Sequence, residues 1–258
     1  MTVRPILALM AGAMAQVWLA GPAPAQTGPA PETARPTAVR TVLASAALPS
    51  VVDRPLHFKL LRVSLSGERS ASFVGADGFI FQMSGTLAVA IDGQSSTLRS
   101  GEGMFVGAGK RATLRAAGGT PAVFLHYLLV AAADLDKPGV SEPAVVAELF
   151  RTQAPIRDLK PGPYEFTLTR ATLPPRVPLN PPHYRSGAAL YYILAGNGTF
   201  APEGRPEPKP AGSIVFEPYG LVHRWGNPGE TSLVLLQANI SPEGVPVVII
   251  WTPPAAPK

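Results

Sequence analysis

The stretch Gly212–Asn227, GSIVFEPYGLVHRWGN, decides the fold. Ser213–Phe216 reads as a short apolar strand. Pro218, Tyr219 and Gly220 follow as a turn, because proline presets φ and glycine accepts positive φ. A second strand opens at Leu221, and period-2 alternation places His223, Trp225 and Asn227 on one face. The corner therefore aims His223 at the inside of a sheet. Around this stretch the chain stays short-stranded. Phe79–Met83, Leu87–Ile91, Gly103–Val106 and Ala122–Val130 are apolar runs between glycine-bearing turns, and no segment sustains a 3.6-residue period. Thirty prolines and 25 glycines punctuate the chain too often for long helices. These features predict an all-β protein.

The spacing G-x5-P-x-G-x2-H-x3-N in Gly212–Asn227 is that of the second motif of the cupin family, which the chain resembles. The family's first motif, H-x-H-x3-E-x6-G, has its counterpart in PPHYRSGAALYYILAG, with His183, Arg185, Ala189 and Gly196 in the four places. Arg185 stands where the second histidine would be, and Ala189 where the glutamate would be. The resemblance implies small jelly-roll β-barrels in which three histidines and a glutamate hold a divalent metal. Two of those four ligands, His183 and His223, remain here.

The landmarks also repeat. Gly85 and Gly196, Gly93 and Gly204, Gly101 and Gly212, Phe105 and Phe216, Gly109 and Gly220, and Thr120 and Thr231 are all 111 residues apart (196 − 85 = 111). One constant offset over several residue types predicts two copies of one unit. The expected architecture is a bicupin, two tandem jelly-roll β-barrels with a short helical linker. At the same offset His183 falls on Ser72, Arg185 on Val74, Ala189 on Gly78 and His223 on Ala112. None of these binds metal, so the first lobe reads as structural. His57 and His126 lie outside the motif positions and read as satisfied strand or surface histidines.

The expected boundaries are a signal peptide over 1–25, a disordered Pro/Ala-rich leader over 26–40, an N-terminal lobe over 41–133, a linker over 134–161, a C-terminal lobe over 162–252 and a tail over 253–258. Arg4, the apolar run Ile6–Ala20 and Ala23-Pro24-Ala25 have the order of a cleavable secretory signal. The expected location is secreted, in a bacterial periplasm, with no stable membrane insertion after cleavage. Within the linker, Ser141 and Pro143 suit the start of a short helix with Val145, Val146, Leu149 and Phe150 on one side. Val245–Trp251 is strongly apolar and should be covered by another strand or subunit.

Composition narrows the function classes. The net charge of +5 is spread along the chain, which argues against a nucleic-acid partner. The absence of cysteine excludes disulfides and thiolate chemistry. No nucleophile elbow, phosphate loop or HExxH helix occurs. Chemistry therefore centres on the second lobe. Arg185 can replace the missing ion's charge and fork a carboxylate or phosphate. His183, His223, Tyr191 and Trp225 complete a ligand-binding set, with His183, His223 and Tyr191 as candidate acid/base groups. The expected partner is a small polar or anionic organic molecule, with homo-oligomers in keeping with the family. Two alternatives stay open. One is an oxygenase or isomerase using one divalent Fe, Mn, Ni, Cu or Zn ion on His183 and His223, with Glu165 as a further ligand. The other is a structural or interaction protein with inert barrels.

Overall fold

The computed structural model describes residues 37–49, 51 and 55–253. The signal segment 1–25 and most of the leader and tail lie outside the described residues. In chain order the strands are β1 (Val39–Leu48), β2 (Leu56–Leu65), β3 (Ala71–Val74), β4 (Asp77–Ser84), β5 (Thr86–Ile91), β6 (Gln94–Arg99), β7 (Gly103–Val106), β8 (Arg111–Ala117) and β9 (Ala122–Ala131). Then come β10 (Val145–Arg151), β11 (Tyr164–Leu173), β12 (His183–Arg185), β13 (Ala188–Ala195), β14 (Asn197–Phe200), β15 (Glu207–Pro210), β16 (Ile214–Glu217), β17 (Trp225–Gly226), β18 (Leu233–Pro242) and β19 (Val248–Ile250). The chain is all-β and forms two jelly-roll lobes.

The duplication is visible strand by strand. β4, β7 and β9 become β13, β16 and β18 on adding 111 to both ends of each (77 + 111 = 188, 84 + 111 = 195). The register repeats with them: Phe79 pairs with Tyr127, and Leu190 with Ala238. Even the bulge repeats, between Gln82 and Ser84 in β4 and between Ile193 and Ala195 in β13.

Each lobe carries one five-stranded sheet, β10-β2-β9-β4-β7 in the first and β1-β11-β18-β13-β16 in the second. Two corrections follow. Val39 and Arg40, expected in the leader, open β1, which pairs along β11 of the second lobe. The linker stretch around Ser141 does not form the expected helix: Val145–Arg151 is β10, paired with β2 of the first lobe. A free sheet edge offers a row of unpaired backbone groups, and satisfying them outweighs a weak local helix signal. A 3-10 turn, Ala132–Asp134, lies where the first lobe passes into the linker. Each lobe thus takes its edge strand from beyond its own stretch of chain.

Alternation in these strands builds three cores. Leu61, Val63, Ile80, Val106 and Leu114 fill the first lobe. Tyr191, Ile193, Phe200, Val215 and Trp225 fill the second. The outer faces of the two five-stranded sheets meet through Phe58, Phe79, Tyr127, Phe166, Leu190 and Ala238. Phe79 and Phe166 are fully buried there with ring centroids 4.4 Å apart. Each such ring contributes about 2–3 kcal/mol by burial. The C-terminal run differs from expectation: β19 pairs with β12, yet Ile250 and Trp251 stay exposed.

Candidate functional site

The corner at Pro218 forms as its residues dictate. Gly220 takes φ +75°, and the Leu221 N–H donates to the Pro218 carbonyl at 3.3 Å. Beyond it His223, Trp225 and Asn227 are all buried, on the face that alternation gives them. Asn227 is a brace: its Nδ2 donates to the carbonyls of Leu173, Pro174 and Thr231, and its Oδ1 accepts from Gly229 N–H. His183 and His223 face one another across a backbone bridge, each N–H donating to the other's carbonyl. Their rings lie 4.3 Å apart.

The two imidazoles share one orientation. His183 Nδ1 contacts the Pro181 carbonyl at 2.9 Å, and His223 Nδ1 the Leu221 carbonyl at 2.8 Å. A carbonyl only accepts, so both Nδ1 atoms carry hydrogen and both Nε2 atoms are the free edges. Burial, above the other influences, lowers the His183 pKa to about 4, so the ring is neutral near pH 7.

The dominant feature is a residue that the sequence reading passed over. Glu217, at the end of β16, is fully buried. Its Oε2 accepts from Arg185 Nε at 2.8 Å, and its Oε1 from Trp225 Nε1 at 2.7 Å. His223 Nε2 lies 2.9 Å from Oε1, an ion-pair distance, but outside hydrogen-bond alignment and without another partner. Burial pushes the Glu217 carboxyl up. The Arg185 charge and hydrogen bond, together with the nearby His223, outweigh it, leaving the pKa lowered to about 2. Arg185 is 1% exposed and also donates to Tyr191 Oη. Glu217 is the direct cross-strand neighbour of Ala189. The carboxylate missing from position 189 is therefore supplied one strand over. The signal was present in β16, where Val215 points inward and Glu217 two residues on must do the same. Glu165, the other carboxylate considered, is exposed on β11.

A cavity of about 420 Å³ opens above this network. His183, Arg185, Tyr191 and Trp225 line it, while His223 sits behind them. Arg40 and Arg224 also line it, and among the described residues no carboxylate does. Leu173, Val177, Leu179 and Leu235 supply apolar wall. Arg40 was legible only as leader, because its place in the cavity depends on β1 joining the second lobe's sheet.

The donor set does not fit a divalent ion. Among the described residues no three His, Asp or Glu side chains are grouped so as to hold one. Both oxygens of Glu217 are engaged, and a guanidinium that keeps its charge lies against them.

The first lobe shows what the same frame looks like without the network. The bridge between His183 and His223 corresponds to the pairing of Phe73 with Ala112, so β3 is one residue out of step with the constant offset. His183 thus matches Phe73 (183 − 110), not Ser72, and Arg185 matches Gly75, not Val74. A one-residue slip exchanges the faces of a strand, which is why Val74 is exposed and Phe73 buried. At the unshifted offset Tyr191, Glu217, His223 and Trp225 match Ile80, Val106, Ala112 and Leu114, all buried and apolar. His57 is satisfied by Thr152. His126 is not: it is fully buried with neither ring nitrogen partnered, and its ring packs 4.4 Å from Phe73.

Residues 169–239 match the family model of the cupin domain. The second lobe therefore carries a cupin domain. AerE from Microcystis aeruginosa has a similar structure, with a TM-score of 0.51 and 17% identity over 74% of this chain and 94% of that one. A variant of salicylate 1,2-dioxygenase from Pseudoaminobacter salicylatoxidans gives a TM-score of 0.50 and 9% identity over 78% of this chain and 81% of that one. At such identities the likeness is one of fold. A search of curated proteins gives no match for this chain.

Proposed function

We propose that this chain is an exported binding protein for a small organic anion with an apolar body, held in the cavity of the second lobe. The observation that carries the proposal is the lining: among the described residues, three arginines and no carboxylate above an apolar wall. A cavity of about 420 Å³ suits a small acid rather than a polymer. Arg185 holds the floor through Glu217, so the ligand-facing charge falls to Arg40 and Arg224. Arg224 is anchored by donating to the carbonyls of Leu179 and Asn180. Arg40 makes only a 3.3 Å contact to Gln237 and is exposed, which leaves it available. His183 Nε2 and Tyr191 supply neutral polar contacts, and Trp225 an aromatic wall. Export rests on the sequence of residues 1–25.

An oxygenase or isomerase built on His183 and His223 is the less favoured reading, because a guanidinium stands beside the imidazoles. The test is calorimetric titration of small aromatic and aliphatic carboxylic acids, each beside its neutral amide. The acids should bind and the amides should not. Arg40→Ala should weaken acid binding roughly 10–100-fold, the worth of one charge-assisted hydrogen bond. Equal binding of acid and amide, or no binding by any acid, overturns the proposal.

A further inference from the structure

We propose that the cavity of the second lobe selects dianions: small molecules with two carboxylates on a short apolar spacer, one carboxylate for Arg40 and one for Arg224. The inference rests on the anion reading above and narrows it to a ligand class. It starts from a charge count. Three guanidiniums line the cavity, and among the described residues no carboxylate does. Glu217, buried beneath the lining, cancels Arg185 across 2.8 Å. His183 is neutral near pH 7, because burial lowers its pKa to about 4. Arg40 and Arg224 bond only to amide and backbone oxygens among the described residues, and a guanidinium keeps its charge at any working pH. The cavity therefore carries two uncompensated positive charges. A monoanion answers one of them, and a dianion answers both.

Placement separates the two charges. Arg40 lies on β1, at the edge of the five-stranded sheet, directly opposite the buried Ala171. Cross-strand partners share a face, so Arg40 is on the cavity side. Arg224 directly precedes β17, in the three-stranded sheet β15-β14-β17. The two sheets pack face to face, with the Tyr191 and Trp225 rings 5.4 Å apart. Two guanidiniums on one wall would clamp a single carboxylate, whereas guanidiniums on separate walls suit two. The apolar lining asks for a spacer without polar groups. Both arginines are also held in place. Arg224 donates from Nε and Nη2 to the carbonyls of Asn180 and Leu179, which leaves Nη1 for a ligand. Arg40 Nη1 donates to Gln237 Oε1 at 3.3 Å. That oxygen faces Arg40 because the amide is held from behind: Gln237 Nε2 contacts Asn239 Oδ1, and Asn239 Nδ2 contacts Ser241 Oγ. At the constant offset of 111 this buried ladder falls on His126, Leu128 and Val130, and Arg224 falls on Thr113 (237 − 111 = 126, 224 − 111 = 113). The first lobe folds without either device, so the lobe frame does not require them.

The test is calorimetric titration of the purified protein with phthalate, isophthalate, terephthalate and adipate, each beside its monoamide. The monoamide keeps the shape and one carboxylate and loses the second charge. At least one diacid should bind roughly 10–100-fold more tightly than its monoamide, the worth of a second charge-assisted hydrogen bond. Arg40→Gln and Arg224→Gln should each erase that advantage, bringing diacid and monoamide to within about threefold. Monoamides that bind as tightly as every diacid overturn the inference and leave the anion proposal standing. An advantage that survives in either folded variant overturns it too, because the second carboxylate is then read by other groups. If no acid binds, the anion proposal fails and this inference fails with it. The wild-type comparison decides the matter even where a variant does not fold.

Discussion

The buried pair of Arg185 and Glu217 gives the sharpest prediction. Glu217 is fully buried and Arg185 is 1% exposed. Replacing Glu217 by valine, the residue at the equivalent Val106 of the first lobe, removes the acceptor for Arg185 Nε, Trp225 Nε1 and the His223 contact at once. The guanidinium cannot shed its charge and is left with Tyr191 alone. Breaking one partner of a buried pair costs about 3–5 kcal/mol. At about 2–4 °C per kcal/mol for a chain of this size, the midpoint should fall by roughly 6–20 °C. Replacing both partners by apolar residues of similar bulk is often close to neutral. Arg185→Leu with Glu217→Val should therefore be more stable than Glu217→Val alone, with a coupling of about 2 kcal/mol or more in a double-mutant cycle. The assay is urea denaturation of wild type, both single variants and the double, read by tryptophan fluorescence and circular dichroism. A Glu217→Val cost below about 1 kcal/mol, or single effects that simply add, refutes the reasoning.

Two further outcomes can be checked the same way. His126 is the first lobe's orphan, and burial lowers its pKa from 6.5 to about 3. The unfolded chain therefore takes up the proton first, so the stability from a neutral His126 is complete above about pH 6.5 and is lost as pH falls toward 3. The loss is on the order of 5 kcal/mol, and His126→Phe should flatten that part of a stability-against-pH curve. If the variant's acid limb matches wild type, the assignment fails. Asn227→Ala strands the carbonyls of Leu173, Pro174 and Thr231 and should cost about 2–3 kcal/mol in chemical denaturation. A change within about 0.5 kcal/mol would show that the brace carries no weight.

Much of this molecule could be read from its residues one strand at a time. The constant offset located β4, β7 and β9 and their copies, because turns and alternation are local properties. Proline and glycine at 218 and 220 set the corner, and alternation turned His223 and Trp225 inward. His183 was legible only through the spacing of the first motif that the chain resembles. What pairs with what was not legible, because it depends on neighbours far away in the chain. Most of β1 was read as part of the first lobe, and β10 as linker, since nothing local says that a distant sheet has an open edge. The one-residue slip at β3 was hidden because glycine landmarks do not report register. Glu217 closes the comparison: its inward direction follows from Val215, but its ion pair with Arg185 exists only because β16 lies against β13 and near β12. Sequence set which side chains face the interior, and tertiary structure decided that a guanidinium and a carboxylate would meet there, since only packing brings strands 32 residues apart (217 − 185 = 32) within 2.8 Å.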